Sequence, residues 1–387
     1  MSMVKFVTLF AFIGVPANVA FGDHQVGSTV VVIHDAPIKV GDKVVQQVLR
    51  GVGLKVLAVQ GDWLWVSHKA TGWIRKQDVA TPNRAIEVFT EEIKKNPYDS
   101  DAHVCRGLAW FDKNEIDIAI ADLNQAIRLD PKNSSAYSSR SICWWAKRDI
   151  DKAISDCTEA IRIEPTEAMH YANRGLLWNM KAEYEKAIAD ADQAIRIAPD
   201  FATPHIVRGK ALANQSQYSR ALADFDVAIE LNSRNAAAYG LRGRVYAARG
   251  EYGRAIADFD RALSLDSGNQ YVCNELARFY ATCPVEKYRN GRKAVEFAER
   301  ACELSGWEWP AAIAVLAAAH AESGDFDKAV AWQTKAAEMV APKRRAEYRE
   351  RLQLYKSGRP YRQEPHNLIG SPARPVPSES DVSSPAS

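Results

Sequence analysis

Pro131, Pro165 and Pro199 stand 34 residues apart, Pro97 extends the series backwards, and Ser233 and Ser267 hold the same phase forwards. A fixed period of this length describes a solenoid of stacked supersecondary units, each packing only on its neighbours. It therefore fixes the architecture before any single residue is considered. It also removes the size limit of an ordinary core, because 387 residues here count repeats and not domains.

Other residues keep the same register. Ala119, Ala153, Ala187, Ala221 and Ala255 repeat it, as do Ala126, Ala160, Ala194, Ala228 and Ala262. Gly107, Ser141, Gly175, Gly209 and Gly243 mark one helix of each unit, and Trp110, Trp144, Trp178, Leu212 and Tyr246 follow three residues later. Small residues let two antiparallel helices approach closely, while the bulky position fills the space where they splay.

Segments such as YANRGLLWNMKAEYEKAIADADQAIRIAPD (171–200) and YGLRGRVYAARGEYGRAIADFDRALSLDSG (239–268) carry these small, aromatic, Ala and Pro positions in order. This pattern resembles the tetratricopeptide repeat (TPR), and the resemblance implies a mainly α fold, a right-handed superhelix of helix hairpins. Five full repeats are expected over 100–269, preceded by a half-repeat at 83–99. Two divergent units follow over 270–342. The first has five extra residues between its helices, so the register alanine is displaced by five residues and appears as Ala294. KRRAEYRERLQLYKSG then reads as a capping helix over 343–357, with Tyr348, Leu352 and Tyr355 on one face.

Two flanking regions differ from the repeats. Residues 1–22 have a short basic start, an apolar run from Phe6 to Val15 and a small-residue cleavage site at Ala20-Phe21-Gly22. They read as a secretory signal peptide, which makes the protein periplasmic or secreted, with an uncleaved N-terminal membrane anchor as the alternative. After cleavage no integral membrane span is expected, because no later segment approaches about 20 apolar residues. Residues 363–387, rich in Pro and Ser, are expected to be disordered.

Between leader and repeats, 27–80 holds short β-branched or aromatic runs separated by Gly and Asp, the pattern of a small β-barrel. GVGLKVLAVQGDWLWVSHKATGWIRKQDV (51–79) resembles the bacterial SH3-like family. Some members of that family bind peptidoglycan peptides, and Trp63, Trp65 and Trp73 would supply such a ligand surface here. A barrel this small is also expected to use at least one of the three as core. Trp63 and Trp65 share a face of one strand, so they are buried together or presented together.

Composition excludes several function classes. The 50 basic and 48 acidic residues leave a net charge of +2, which gives no general field for nucleic acid. No nucleophile elbow, phosphate loop, zinc spacing or paired catalytic carboxylate occurs, so neither an enzyme nor a metal or cofactor site is expected. The eight histidines are scattered, with His103 and His205 at the position that Tyr137, Tyr171 and Tyr239 hold elsewhere. In an oxidising compartment Cys105, Cys143, Cys157, Cys273, Cys283 and Cys302 either form disulfides, first around 273–302, or are buried as small hydrophobes.

Two polar ladders share the period: Arg106, Arg140, Arg174, Arg208 and Arg242, and Asp122, Asp156, Asp190, Asp224 and Asp258. Equal numbers favour mutual pairing that fixes the stacking of helices, with an anion-binding arginine stripe as the alternative. The basic stretch from Lys343 to Arg362 reads as the solvated face of the capping helix, or as a contact for anionic lipid.

The resemblance further implies that the first helices line a peptide-binding groove. Its positions here are Val104, Leu108 and Phe111, then Ile142 and Trp145, then Met169, Leu176 and Met180. Val104 and Leu108 cannot supply the Lys and Asn clamp with which some TPR domains hold a C-terminal carboxylate. An apolar set with Trp, Phe and Met favours burial of hydrophobic anchors from a protein or peptide partner. The matching residues further on, Ile206, Lys210, Ala213 and Asn214, then Ala237, Arg244, Ala247 and Ala248, are small and basic. The expected role is a non-enzymatic interaction scaffold, with a peptidoglycan-binding envelope protein as the alternative.

Overall fold

Seven short strands precede sixteen helices in the computed structural model, which describes residues 27–67 and 71–362. The expected leader (1–22) and tail (363–387) lie outside the described residues. The strands are β1 (Thr29–Val32), β2 (Ala36–Val40), β3 (Lys43–Val48), β4 (Gly53–Gln60), β5 (Trp63–Ser67), β6 (Thr71–Arg75) and β7 (Val79–Ala80). They form an antiparallel sheet in the order β3-β2-β6-β5-β4-β1-β7.

Alternation along these strands sends Val30, Val32, Ile38, Leu54, Val56, Leu64, Val66 and Ile74 into one aliphatic core. Gly72 is needed where β6 crosses β2, because a Cβ there would lie 2.6 Å from the Lys39 carbonyl oxygen.

The chain passes from β7 through Thr81, whose hydroxyl caps α1 (Pro82–Lys95). α1 lies where the half-repeat (83–99) is expected. The β domain packs where a first helix would stand, since Val31 and Ala80 share an apolar cluster with Ala85 and Phe89. Arg50 ties the same junction, 2.8 Å from Glu92 and 3.7 Å from Asp99.

The repeats follow as the hairpins α2 (Ser100–Asp112) with α3 (Ile116–Leu129), α4 (Ser134–Ala146) with α5 (Ile150–Ile163), and α6 (Ala168–Met180) with α7 (Tyr184–Ile197). Next come α8 (Ala202–Asn214) with α9 (Tyr218–Leu231) and α10 (Ala236–Ala248) with α11 (Tyr252–Leu265). Side chains of Asp99, Asn133, Asn235 and Asn269 cap first helices at the register. The turns between hairpin helices need one left-handed residue, supplied by Asn114, Arg148, Ala182, Ser216 and Gly250, at φ from 59° to 78°.

Each Arg of the ladder forms a forked pair with the Asp sixteen residues on. Nη2 donates at 2.6–2.8 Å to one carboxylate oxygen, and Nε donates at 2.8–2.9 Å to the other. The remaining Nη1 reaches the preceding repeat: Arg106 to Thr90, Arg140 to Asn124, Arg174 to Thr158 and Arg242 to Asp226. Hydrogen bonds to the paired Asp hold the Arg140, Arg174 and Arg242 guanidiniums above their ordinary value. The ladders thus bind the two helices of a unit and register it against its neighbour. His205 joins this network, with Nδ1 3.3 Å from Asp224 Oδ1, so it does more than pack.

After α12 (Gln270–Thr282) the five-residue insertion is folded onto the helices. A 3-10 turn at Glu286–Tyr288 sets Tyr288 against Tyr252 and Phe279, with ring centroids at 5.2 and 6.3 Å. Arg289 anchors it by donating to Glu322 at 3.0 Å and to the Cys283 carbonyl at 3.2 Å. Then come α13 (Gly291–Leu304), α14 (Pro310–Glu322), α15 (Phe326–Met339) and α16 (Arg345–Lys356). Tyr348 and Tyr355 of α16 are buried, and the buried Gln333 amide donates to the Tyr348 carbonyl at 2.9 Å. All six cysteines are buried and free, so the 273–302 region carries no disulfide, and burial raises every one of these thiols.

The described residues group into two units, one of residues 27–181 with 189–199 and one of 182–188 with 200–362. No described helix is long and apolar enough to cross a membrane.

Candidate partner-binding face

Helix geometry decides which of the apolar first-helix residues can meet a partner. Val104 and Leu108 are closed, at 0% and 5% exposure, in the cluster that also holds Val31 of β1. The β domain comes close enough to α2 that a Cβ on Gly53 would lie 2.9 Å from the Asp112 carboxylate. Ile142 and Met169 are closed as well, at 4% and 1%.

Phe111, Trp145 and Leu176 remain half-buried, and Met180 is 42% exposed. α4 and α6 bring Trp145 and Met180 together, with the indole N–H 3.2 Å from the thioether sulfur. The open apolar face of the first unit therefore reduces to Phe111, Trp145, Leu176 and Met180. Which side chains the fold closes is a distinction that 34-residue spacing does not contain.

In the β domain, Trp63, Trp65 and Trp73 all lie on the face opposite the core and are half-buried. The expectation that one of them would be core fails, because Leu64, Val66 and Ile74, the alternating residues, fill the interior. Trp65 meets Trp73 edge-on at 5.1 Å, and the Arg75 guanidinium lies 5.3 Å over Trp63. These aromatics are presented jointly.

In the second unit the corresponding first-helix positions carry charge. Lys210 on α8 is half-buried, and burial followed by the charge of Arg244 pushes its amine down to about 8. Arg244 on α10 lies 3.3 Å from Glu275 on α12, and Glu275 also pairs with Arg278. Arg278 belongs to the same series, 34 residues beyond Arg244, and the spacing within α12 survives the insertion that follows it. Tracking the register one unit further would have found it. Among the described residues no group of His, Cys, Asp or Glu is arranged to hold a metal.

Residues 81–134, 106–168 and 206–270 match the family model of the tetratricopeptide repeat. The matched residues carry tetratricopeptide repeats, and the helical part has the fold of a TPR-like solenoid. Among solved structures, a chain of the APC/C hetero-tetramer Cut9–Hcn1 aligns with a TM-score of 0.54 at 18% identity, over 62% of this chain and 46% of that one. Yeast Tom70 aligns with a TM-score of 0.50 at 17% identity, over 71% of this chain and 59% of its own. This chain thus spans less than two thirds of either. YrrB, a TPR protein with an unusual peptide-binding site, aligns at 21% identity and a TM-score of 0.38, over 49% of this chain and 97% of that one. These likenesses are of fold. No curated protein matches the chain at a significant level.

Proposed function

We propose that this protein is a non-enzymatic interaction scaffold whose TPR first helices hold a peptide or helix of a protein partner. The observation that carries the reading is the set Phe111, Trp145, Leu176 and Met180, which stays open to solvent while the repeat's own packing positions are closed. Large apolar and aromatic side chains of this kind are the usual anchors of an interface, each contributing about 2 kcal/mol or more where they are fully covered on binding. An amphipathic partner segment would set its apolar residues between Phe111 and the Trp145–Met180 pair.

The test begins with crosslinking in cells and mass spectrometry to identify the partner segment. The Phe111→Ala, Trp145→Ala double variant is then expected to weaken its binding by about a hundredfold while the melting curve and helix content stay near wild type. Unchanged affinity would overturn the reading.

The β domain favours a second reading, in which an SH3-like module grips peptidoglycan and the repeats act as a spacer. Its support is the joint presentation of Trp63, Trp65 and Trp73 beside Arg75. Sedimentation of the whole chain with purified peptidoglycan separates the two readings, since the Trp65→Ala, Trp73→Ala variant loses the pellet only if the second holds. Either reading includes export through residues 1–22. N-terminal sequencing of the mature protein checks this, with a start just after Gly22 expected.

A further inference from the structure

One register position changes its chemistry along the repeats: Leu108, Ile142 and Leu176 are followed by Lys210, Arg244 and Arg278, each 34 residues from the last. The first three show that the hairpin packs well with an aliphatic side chain there. Nothing in the repeat calls for a cation at this position, and a set of crowded cations costs stability unless it is compensated. In the second unit the compensation is incomplete. Arg244 and Arg278 share one carboxylate, that of Glu275, whose side chain is 17% exposed. Lys210 has neither an ion pair nor a hydrogen bond among the described residues, and the buried Nε of Arg244 lacks a well-aligned acceptor. Arg351 adds positive charge near Arg278 and is itself paired with Glu347 at 2.7 Å. Burial pushes the Arg278 guanidinium below its ordinary value even though the Glu275 charge beside it acts the other way.

Two small depressions open beside these groups. A shallow depression is lined by Lys210, Ala213, Asn214, Leu241 and Arg244, and a second, lined by Arg244, Glu275, Arg278 and Phe279, adjoins it through Arg244. Each depression has room for about one water-sized group, so a carboxylate would meet the cationic ends from the open side. Glu275 already occupies the place between two guanidiniums that such a group would take. A guanidinium presents paired N–H donors that match carboxylate geometry.

We propose that Lys210, Arg244 and Arg278 form an anion site that receives the Asp or Glu side chains of an acidic segment in the partner protein. This rests on the scaffold reading above and adds to it the chemistry of the partner: apolar anchors for the first unit and carboxylates for the second. The formal net charge of +2 and the confinement of these cations to shallow depressions favour an acidic protein segment over a nucleic acid.

The experiment uses the full chain and three labelled peptides read by fluorescence anisotropy: an amphipathic segment of Leu with Glu and Asp, its Gln and Asn isostere, and a phosphoserine version. The acidic peptide is expected to bind about tenfold tighter than the isostere, with the preference fading as salt is raised. Lys210→Gln and Arg244→Gln should each remove most of that preference and leave the isostere's affinity unchanged. Glu275→Gln, which removes the resident carboxylate, should bind the acidic peptide more tightly than wild type and gain melting temperature on adding it. A purely structural role for these residues would not produce that gain.

Equal affinity for the acidic and neutral peptides overturns the anion site. If neutral binding is still lost in the Phe111→Ala, Trp145→Ala variant, the scaffold reading stands without it. A clear preference for the phosphoserine peptide overturns the assignment to carboxylates. Binding of none of the peptides overturns this proposal, whereas the scaffold reading is judged by the crosslinked partner.

Discussion

The first and second units use one repeat design and differ where that design leaves a choice. Both carry the forked Arg–Asp pair with the same geometry, at Arg140–Asp156 in one and Arg242–Asp258 in the other. At the inner first-helix position, however, the first unit has Leu108, Ile142 and Leu176 and the second has Lys210, Arg244 and Arg278. Each unit also crowds an ionisable group that has no hydrogen-bonded partner among the described residues. Asp112, beside Gly53, does so in the first, and Lys210 in the second. The lesson is that positions needed for stacking repeat, whereas this inner position changes its chemistry from one unit to the other.

The largest expected effect tests the shared part. Asp156→Ala and Asp258→Ala each leave a half-buried guanidinium without its forked partner, which costs about 3 kcal/mol. Urea denaturation should show a loss for both variants, the smaller for Asp258→Ala because Arg242 keeps Asp226 at 2.7 Å. A loss confined to one unit would break the claim that the ladder does the same job in both.

The next effects come from the lone charges and have opposite pH dependence. Burial pushes the Asp112 carboxyl up from its ordinary 3.8 to about 7. The folded chain then holds a proton that the unfolded chain has already released, so this group's contribution to stability falls as pH rises from about 4 to about 7. Asp112→Asn should remove that slope and stabilise the protein by about 2 kcal/mol at pH 8, once solvent access is allowed for.

Lys210 is shifted down from 10.5 to about 8, so between those values the unfolded chain binds the extra proton. Stability therefore rises with pH from about 8 to about 10.5, and wild type minus Lys210→Met should show that rise, amounting to about 1 kcal/mol. Thermal melts across both windows check the pair, and a Lys210 difference that is flat above pH 8 would remove half of the contrast.

The smallest effect concerns turns common to both regions. Arg148 and Ala182 hold φ of 65° and 59°, which glycine adopts without strain, as Gly250 does at the equivalent turn. Arg148→Gly and Ala182→Gly should each raise stability by about 0.5 kcal/mol, the relieved strain being partly offset by the greater freedom of the unfolded chain. Calorimetry resolves this, and a fall in melting temperature would show that the turns owe their shape to side-chain contacts.

Much of this was legible in the sequence because a solenoid repeats its packing demands at fixed spacing. The Pro, Ala and Gly positions and the pairing of the Arg and Asp ladders are all local or nearest-neighbour features, so the period exposed them directly. The period could not say that Val104, Leu108, Ile142 and Met169 are closed while Phe111, Trp145, Leu176 and Met180 stay open. That depends on what lies across from each side chain, and in the first repeat the neighbour is a β domain outside the register. The same limit applies to Trp63, Trp65 and Trp73: alternation placed Trp63 and Trp65 on one face, but only the folded sheet showed that aliphatic residues fill its core and leave all three outside.

By itself, then, the sequence determined the repeat, the paired ladders and the change from apolar to basic along one register position. The tertiary structure decided which of those residues meet solvent, that the cysteines stay free and that two guanidiniums converge on one glutamate near a lone lysine. Burial and charge balance are properties of surfaces brought together from distant parts of the chain, and a period records only what each unit asks of the next.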